Sequence, residues 1–453
     1  MSNQTVTEIL SEHICRAIFD SIDTNLIPLS KLILLDFLAV CIAGSQEKPV
    51  EYMIDVTNEL GGSQRCSLTG RSEKSSPLMA TFINGISGHI LDFENMWHPA
   101  THPASPTIPA ILALSECYPI SGKDVILALI YGFEVQGRLR LAQPDHKLGK
   151  GLHLPGLVGV MGSAAASAIL LNLTAEQIRM SFGIAASRAC GLFVNAGTMT
   201  KSTHCGNAAR AGLEAAMLAK RGFDAEPNIF DHPQGYQAIV GEYEFKRELV
   251  VKDFANPFRL SDPGIGFKKY PSHYATQYMI DAVVALKQKH SINLEEIDKI
   301  ILRAPKIEYV NRQAPATGLS GKFSFQYTAV TALVDDKVGI SSFHNPSVHR
   351  PIVTELLQKT QLIMDEEIPP NFNDMWVIVT IHMKDGSQLQ SRCDAPHGIW
   401  GDPLTIEELT TKVQHCCSNV ISQKKIYSMI ESVMNLEQAD ETKVRELIKH
   451  CTT

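Results

Sequence analysis

GNAARAGLEAAMLAKRG, residues 206–222, decides the fold. Alanine at 208, 209, 211, 215, 216 and 219 gives high helix propensity without bulk, and the glycines thin the helix further. A surface helix carries a broad polar face, whereas small side chains let neighbouring backbones approach closely. The stretch therefore reads as an interior helix of a many-helix bundle.

The same habit holds from residue 5 to about 260. TVTE (5–8) and TAEQ (174–177) have capping-box form, and each precedes apolar residues at three-to-four spacing. PGLVGVMGSAAASAILLNL (155–173) has the length of a membrane span, but its Gly, Ala and Ser suit a buried helix with close neighbours. The character changes after NPFRLSDPGIGFKKYPSH (256–273). A helix beginning near Tyr274 is followed by IDKIILRAP (297–305), a strand candidate, and by MWVIVTIHMKDGSQLQSR (375–392). In the latter, Val377, Val379, Ile381 and Met383 alternate, and Asp385-Gly386 predicts a type I′ hairpin turn. PLTIEELTTKVQHCCSNV (403–420) returns to helical spacing behind a Thr405/Glu408 capping box. The expected fold is mainly α with a smaller α+β domain: helices over 1–262, an α+β lid over 263–397, and C-terminal helices over 398–453 that pack back on the first domain.

The chain has 453 residues, 44% of them hydrophobic, enough for a sizeable core. Its 41 basic and 48 acidic residues give a net charge of -7 without a polybasic run, which argues against nucleic-acid and membrane partners. Ten cysteines without a CxxC spacing suggest reduced thiols and a cytoplasmic setting. The N-terminal residues lack the pattern of a signal or transit peptide.

Chemistry concentrates in LDFENMWHPATHP, residues 91–103. His98 and His102 stand four apart, as two metal ligands on one helix face would. Pro99 and Pro103 defeat that geometry, because each disfavours helix in the histidine before it. No metal is expected. The functional reading is a rigid loop presenting Asp92, His98 and His102 for proton transfer and carboxylate binding, with Trp97 excluding water. Four other segments offer similar groups: His153 in GLHLPG, Lys201 and His204 in TMTKSTHCGNAAR, Lys268 and His273 in FKKYPSHYATQ, and Tyr309 and Arg312 in EYVNRQAP. In three of these a Lys or His stands in a turn just before an apolar helix, where the helix N-terminus attracts anions. Converging N-termini of this kind would hold a small polycarboxylate and stabilise an electron-rich intermediate, as a cofactor-free lyase or isomerase requires. No dinucleotide fingerprint, P-loop, nucleophile elbow or cluster-type cysteine grouping is present.

GHILDFENMWHPATHPASPTIPAILALSE, GFEVQGRL, HLPGLVGVMGSAAASA, TKSTHCGNAARAGLEA, FKKYPSHYATQ, EYVNR and FSFQYTAVTALVDD together resemble the MmgE/PrpD family. Within it they look most like the branch that decarboxylates cis-aconitate to itaconate. The resemblance implies a large helical domain with an α+β lid, a homodimer, and a metal-free, cofactor-free site between the domains. By motif position it assigns Asp92, His102, His153, Lys201 and Tyr309 to catalysis and Lys268 and His273 to substrate binding, to which the loop reading adds His98. One departure stands out. The decarboxylase motif usually reads DFDDTWHPATHP, whereas this chain has Glu94, Asn95 and Met96. Relatives with the same fold include 2-methylcitrate dehydratase and iminodisuccinate epimerase, so the resemblance leaves dehydration and epimerisation of small acids as alternatives.

Overall fold

The helix that contains residues 206–219 runs from Thr200 to Ala219, and its glycines mark where other helices cross it. A Cβ on Gly206 would stand 2.5 Å from the Phe82 carbonyl oxygen, and one on Gly212 would stand 2.5 Å from the Val160 carbonyl oxygen. Helices Pro77–Ile90 and Leu154–Leu170 thus pass at backbone distance on either side. A Gly206→Val variant is expected to lose about 1–3 kcal/mol through overpacking. Its thermal midpoint checks this, and an unchanged midpoint would contradict so close a crossing.

The computed structural model describes residues 4–143, 151–240 and 245–453. Two hydrophobic cores organise it. One joins residues 6–267 with residues 404–451, so helices Ile406–Cys417, Gln423–Met434 and Glu441–His450 share the core of the N-terminal helices. The other gathers residues 270–399 and takes in Met96 and Ala196 from the helical side. Capping boxes at Thr5, Thr174 and Thr405 start their helices as the sequence predicts.

Strands are scarce in the first core. Cys66–Ser67 (β1) and Lys74–Ser75 (β2) form a short antiparallel ladder. The second core has a four-stranded mixed sheet in the order β4-β3-β5-β6, from Ile297–Pro305 (β3), Thr360–Asp365 (β4), Val377–Met383 (β5) and Gln388–Cys393 (β6). β3 runs parallel to β4 and antiparallel to β5. Helices Tyr274–Lys289 and Phe325–Val334 pack beside it. The β5–β6 turn corrects the expected type I′ geometry. Of Asp385 and Gly386 only Gly386 has positive φ, and the Gly386 N–H donates to the Met383 carbonyl at 2.9 Å. This is the three-residue hairpin in which a turn is followed by a left-handed glycine.

Among the described residues, one helix, Leu26–Gly44, is long and apolar enough to cross a membrane. It packs against helices Pro77–Ile90 and Ile406–Cys417 and carries Asp36, fully buried and paired with Lys412 at 2.7 Å. A buried charge matched by a neighbouring helix is the construction of a bundle core.

Candidate active site

A cavity of about 240 Å³ lies where the two cores meet, and three helix N-termini open onto it. His153 precedes helix Leu154–Leu170, Lys201 is the second residue of Thr200–Ala219, and His273 caps Tyr274–Lys289. All three line the cavity with His102, Tyr309, Arg140 and Met96. Each N-terminus adds roughly half a positive charge directed at the space, so an anion there meets these dipoles together with the Lys201 ammonium.

Asp92 organises the cations. It is buried and takes the left-handed conformation at φ +50°, sparsely populated for a non-glycine residue and tolerated best by Asp and Asn. Its carboxylate accepts from Lys201 Nζ at 2.7 Å and pairs closely with Lys268 Nζ. Burial pushes this carboxyl up, but Lys201 and Lys268 more than offset it and hold the group well below the usual range. The loop carrying Asp92 is pinned by three buried lysines on successive carbonyls: Lys322 on Leu91 at 2.9 Å, Lys268 on Asp92 at 2.9 Å and Lys412 on Phe93 at 2.8 Å. Burial brings Lys268 down to about 8 and Lys322 to about 7, against the attraction of Asp92.

His102, His153 and His273 line the wall, and His204 is hydrogen-bonded to His153. His102 Nε2 is 3.8 Å from Asp92 and its Nδ1 is 3.4 Å from Glu94. The opposite oxygen of Glu94 accepts from the Ser105 N–H at 3.0 Å and from the Ser105 hydroxyl, and burial raises the Glu94 carboxyl well above normal. His153 Nδ1 and His204 Nδ1 are 3.1 Å apart, so one donates and the other accepts. His273 Nδ1 accepts from the Ala275 N–H at 3.3 Å, which leaves the proton of the neutral ring on Nε2. That nitrogen is 3.1 Å from the Tyr309 oxygen, so it donates to the phenol and frees the phenolic hydrogen for the cavity. Burial, assisted by the lysines, depresses all these histidines: His102 and His153 well below their ordinary value, His204 to about 4 and His273 to about 3.

This fixes the sign of one pH effect. An unfolded histidine binds a proton near pH 6.5, whereas these folded ones refuse it until much lower pH. The unfolded state therefore binds more protons between those limits, and stability is expected to fall as pH drops from about 6.5 toward 4. Thermal unfolding across pH 4–7 checks it; a midpoint rising toward acid would contradict it.

Two expected substrate binders stand off the cavity wall. Lys268 lies behind Asp92, with its protons given to the Asp92 carboxylate, the Asp92 carbonyl and the Ser272 carbonyl at 3.0 Å. His98 sits at the tip of a reversal in which Trp97 and Thr101 pair, and its ring turns toward Trp400, centroids 5.5 Å apart. Trp97 is buried against Phe133 and shields the loop from below. His89, Arg140, Lys322 and Lys412 are not among the residues the sequence singles out, and Glu94 stands there only as a departure from the motif. Lysines inside otherwise apolar runs, as in SGKFSFQY, were the available signal.

His89, Glu94 and His102 are the one group among the described residues with ligand atoms close enough to hold a metal, all within 4.8 Å. Glu94 is 2.5 Å from His89 Nδ1. Two donors on one tetrahedral ion at about 2.0–2.2 Å would stand roughly 3.3 Å apart. As placed, the pair is hydrogen-bonded.

Two family models cover most of the chain: the MmgE/PrpD N-terminal domain matches residues 8–248 and the MmgE/PrpD C-terminal domain matches residues 270–438. The chain belongs to the MmgE/PrpD family. Among curated members it is 34% identical to a cis-aconitate decarboxylase of Mus musculus, over 98% of this chain and 93% of the relative. It is 32% identical to a cis-aconitate decarboxylase of Homo sapiens, over 98% of this chain and 94% of the relative. The 2-methylcitrate dehydratase of Escherichia coli (strain K12) is more distant, 22% identical over 71% of each chain. The helical domain and α+β domain of this MmgE/PrpD protein accord with both family models.

Proposed function

We propose that the protein is a carboxy-lyase that converts cis-aconitate to itaconate and CO2 without a cofactor. The observation that carries the reading is the convergence of Lys201, His153 and His273, each at a helix N-terminus, on one buried cavity beside His102. Two full-length relatives named cis-aconitate decarboxylase support the same substrate.

In this account Lys201, His153 and the Tyr309 hydroxyl bind the carboxylates that remain, while Asp92 and Lys268 set the position of Lys201. The carboxylate on the saturated carbon leaves as CO2. Its bonding pair forms the new terminal double bond, and the former double bond shifts to the carbon beside the remaining carboxylate. That carbon takes one proton from His102. The pair is never localised without a cation nearby, which is where such a site lowers the barrier.

The depressed histidines then gain a role. Burial keeps them neutral, and the arriving carboxylates are the opposite charges that favour imidazolium. Substrate binding loads the acid that the reaction consumes. Binding is therefore expected to take up protons near pH 7, read as a dependence of calorimetric heat on buffer ionisation enthalpy. No such dependence would contradict the loading step.

Supporting a cytoplasmic setting, all ten cysteines are free. Exposed Leu192, Val194 and Met199 near the cavity-lining Phe193 support a homodimer. The alternative, dehydration of a citrate-like hydroxy acid, draws support from the dehydratase relative and from Met96, which gives the wall a thioether instead of a hydroxyl. Purified protein supplied separately with cis-aconitate and 2-methylcitrate decides. CO2 release from the first alone is expected; water loss from the second with cis-aconitate untouched would overturn the proposal.

A further inference from the structure

On the helical domain's β1–β2 ladder, Cys66 Sγ and Cys117 Sγ stand 3.6 Å apart. Cys66 is in β1 and fully buried, and Cys117 ends helix Ile108–Cys117 with partial exposure. The two backbones are already held side by side. Ser67 donates to the Glu116 carboxylate through its N–H and its hydroxyl, each at 2.7 Å. Asn84 of helix Pro77–Ile90 clamps the same segment, accepting from the Thr69 N–H at 2.9 Å and donating to the Ser67 carbonyl at 3.1 Å. Arg445 reaches across from the C-terminal helix to the carbonyls of Ser115 at 3.3 Å and Tyr118 at 3.1 Å, bracketing Cys117 with a guanidinium.

We propose that Cys66 and Cys117 are an oxidisable dithiol, reacting with a hydroperoxide to form a disulfide that staples β1 to the end of helix Ile108–Cys117. A small change in side-chain rotamer brings sulfurs at this separation to bonding distance, while the Ser67–Glu116 bonds hold the backbone.

The two thiols are unequal in the way the chemistry needs. The hydrogen bond from Cys66, helped by Arg65 and Arg445 against burial and Glu116, brings the Cys117 thiol down to about 7. The same contact and burial push Cys66 up. Cys117 is thus the attacking thiolate and Cys66 the resolving thiol. The Cys117 sulfur attacks one peroxide oxygen, the O–O bond breaks, and hydroxide leaves, giving a sulfenic acid. Cys66 sulfur then attacks the sulfenyl sulfur, the S–O bond breaks, and water leaves with the Cys66 proton. The dithiol loses two electrons and hydrogen peroxide is reduced to water.

The exposed Cys15 and Cys190 supply an internal comparison. The test treats the full-length protein with hydrogen peroxide, alkylates the remaining thiols and maps peptides. The expected result is an intramolecular 66–117 cross-link, reversed by dithiothreitol, with a raised thermal midpoint in the oxidised protein. In Cys66→Ser, oxidation of Cys117 is expected to stop at a sulfenic acid that dimedone traps. In Cys117→Ser, Cys66 is expected to stay reduced, which keeps the test available if the other variant misfolds. Cys117 remaining a thiol while Cys15 and Cys190 oxidise, or going to sulfinic acid in the wild type with no cross-link, would overturn the proposal.

Discussion

Asp92→Asn is expected to cost about 3–5 kcal/mol of stability, because it leaves two buried lysines without the carboxylate they share. Lys201 and Lys268 both end on this group, and Lys268 is almost wholly buried. Asparagine is the informative replacement: it tolerates the left-handed backbone that Asp92 adopts at φ +50°, so the loss reports charge and not conformation. Turnover should fall with it by about 100-fold or more, since Lys201 loses the anchor that aims it, and a displacement of an ångström has costs of that order. Thermal unfolding and kcat measured on the same preparation check both parts. An Asn variant as stable as the parent would mean that the lysines are neutral or paired elsewhere.

His102→Gln is expected to lower kcat by about 100- to 10,000-fold, the range for loss of a positioned proton donor. KM should change little, because Lys201, His153 and Tyr309 keep their places around the cavity. Glutamine retains a hydrogen-bonding group of similar length, so the buried loop has a reason to stay folded. Glu94 faces His102 Nδ1 and acts through it, so Glu94→Gln should give a smaller loss together with a displaced pH profile. A His102→Gln enzyme with normal kcat would move the proton donor to His153 or Tyr309.

Much of this was legible in the chain, for identifiable reasons. The alanine and glycine spacing at 206–219 requires close helix neighbours, and Phe82 and Val160 are those neighbours. The turn residues before apolar helices name His153 and His273, which are N-caps, since a cap position is local and sequence shows it; Lys201, expected in the turn, stands inside the first turn of its helix. What sequence did not show is depth. Lys268 and Lys201 look alike in the sequence, yet one lines the cavity and the other supports Asp92 from behind, a difference set by packing over 176 positions. His98 and His102 likewise differ by place: His98 is at the tip of the Trp97–Thr101 reversal and His102 follows its closing residue. Glu94 read as a substitution within a motif, and only the fold brings Ser105 and His89 to its two oxygens.

The proposed reaction turns on the fate of one carboxylate and one proton at the cavity of His102 and Lys201. Purified protein in D2O, supplied with cis-aconitate and followed by proton and carbon NMR, tests it most directly. Itaconate carrying a single deuterium on the methylene beside the carboxylate is expected, with one CO2 released per product. Unchanged cis-aconitate, or a hydrated product that keeps all three carboxylates, from protein with an intact thermal transition would contradict it.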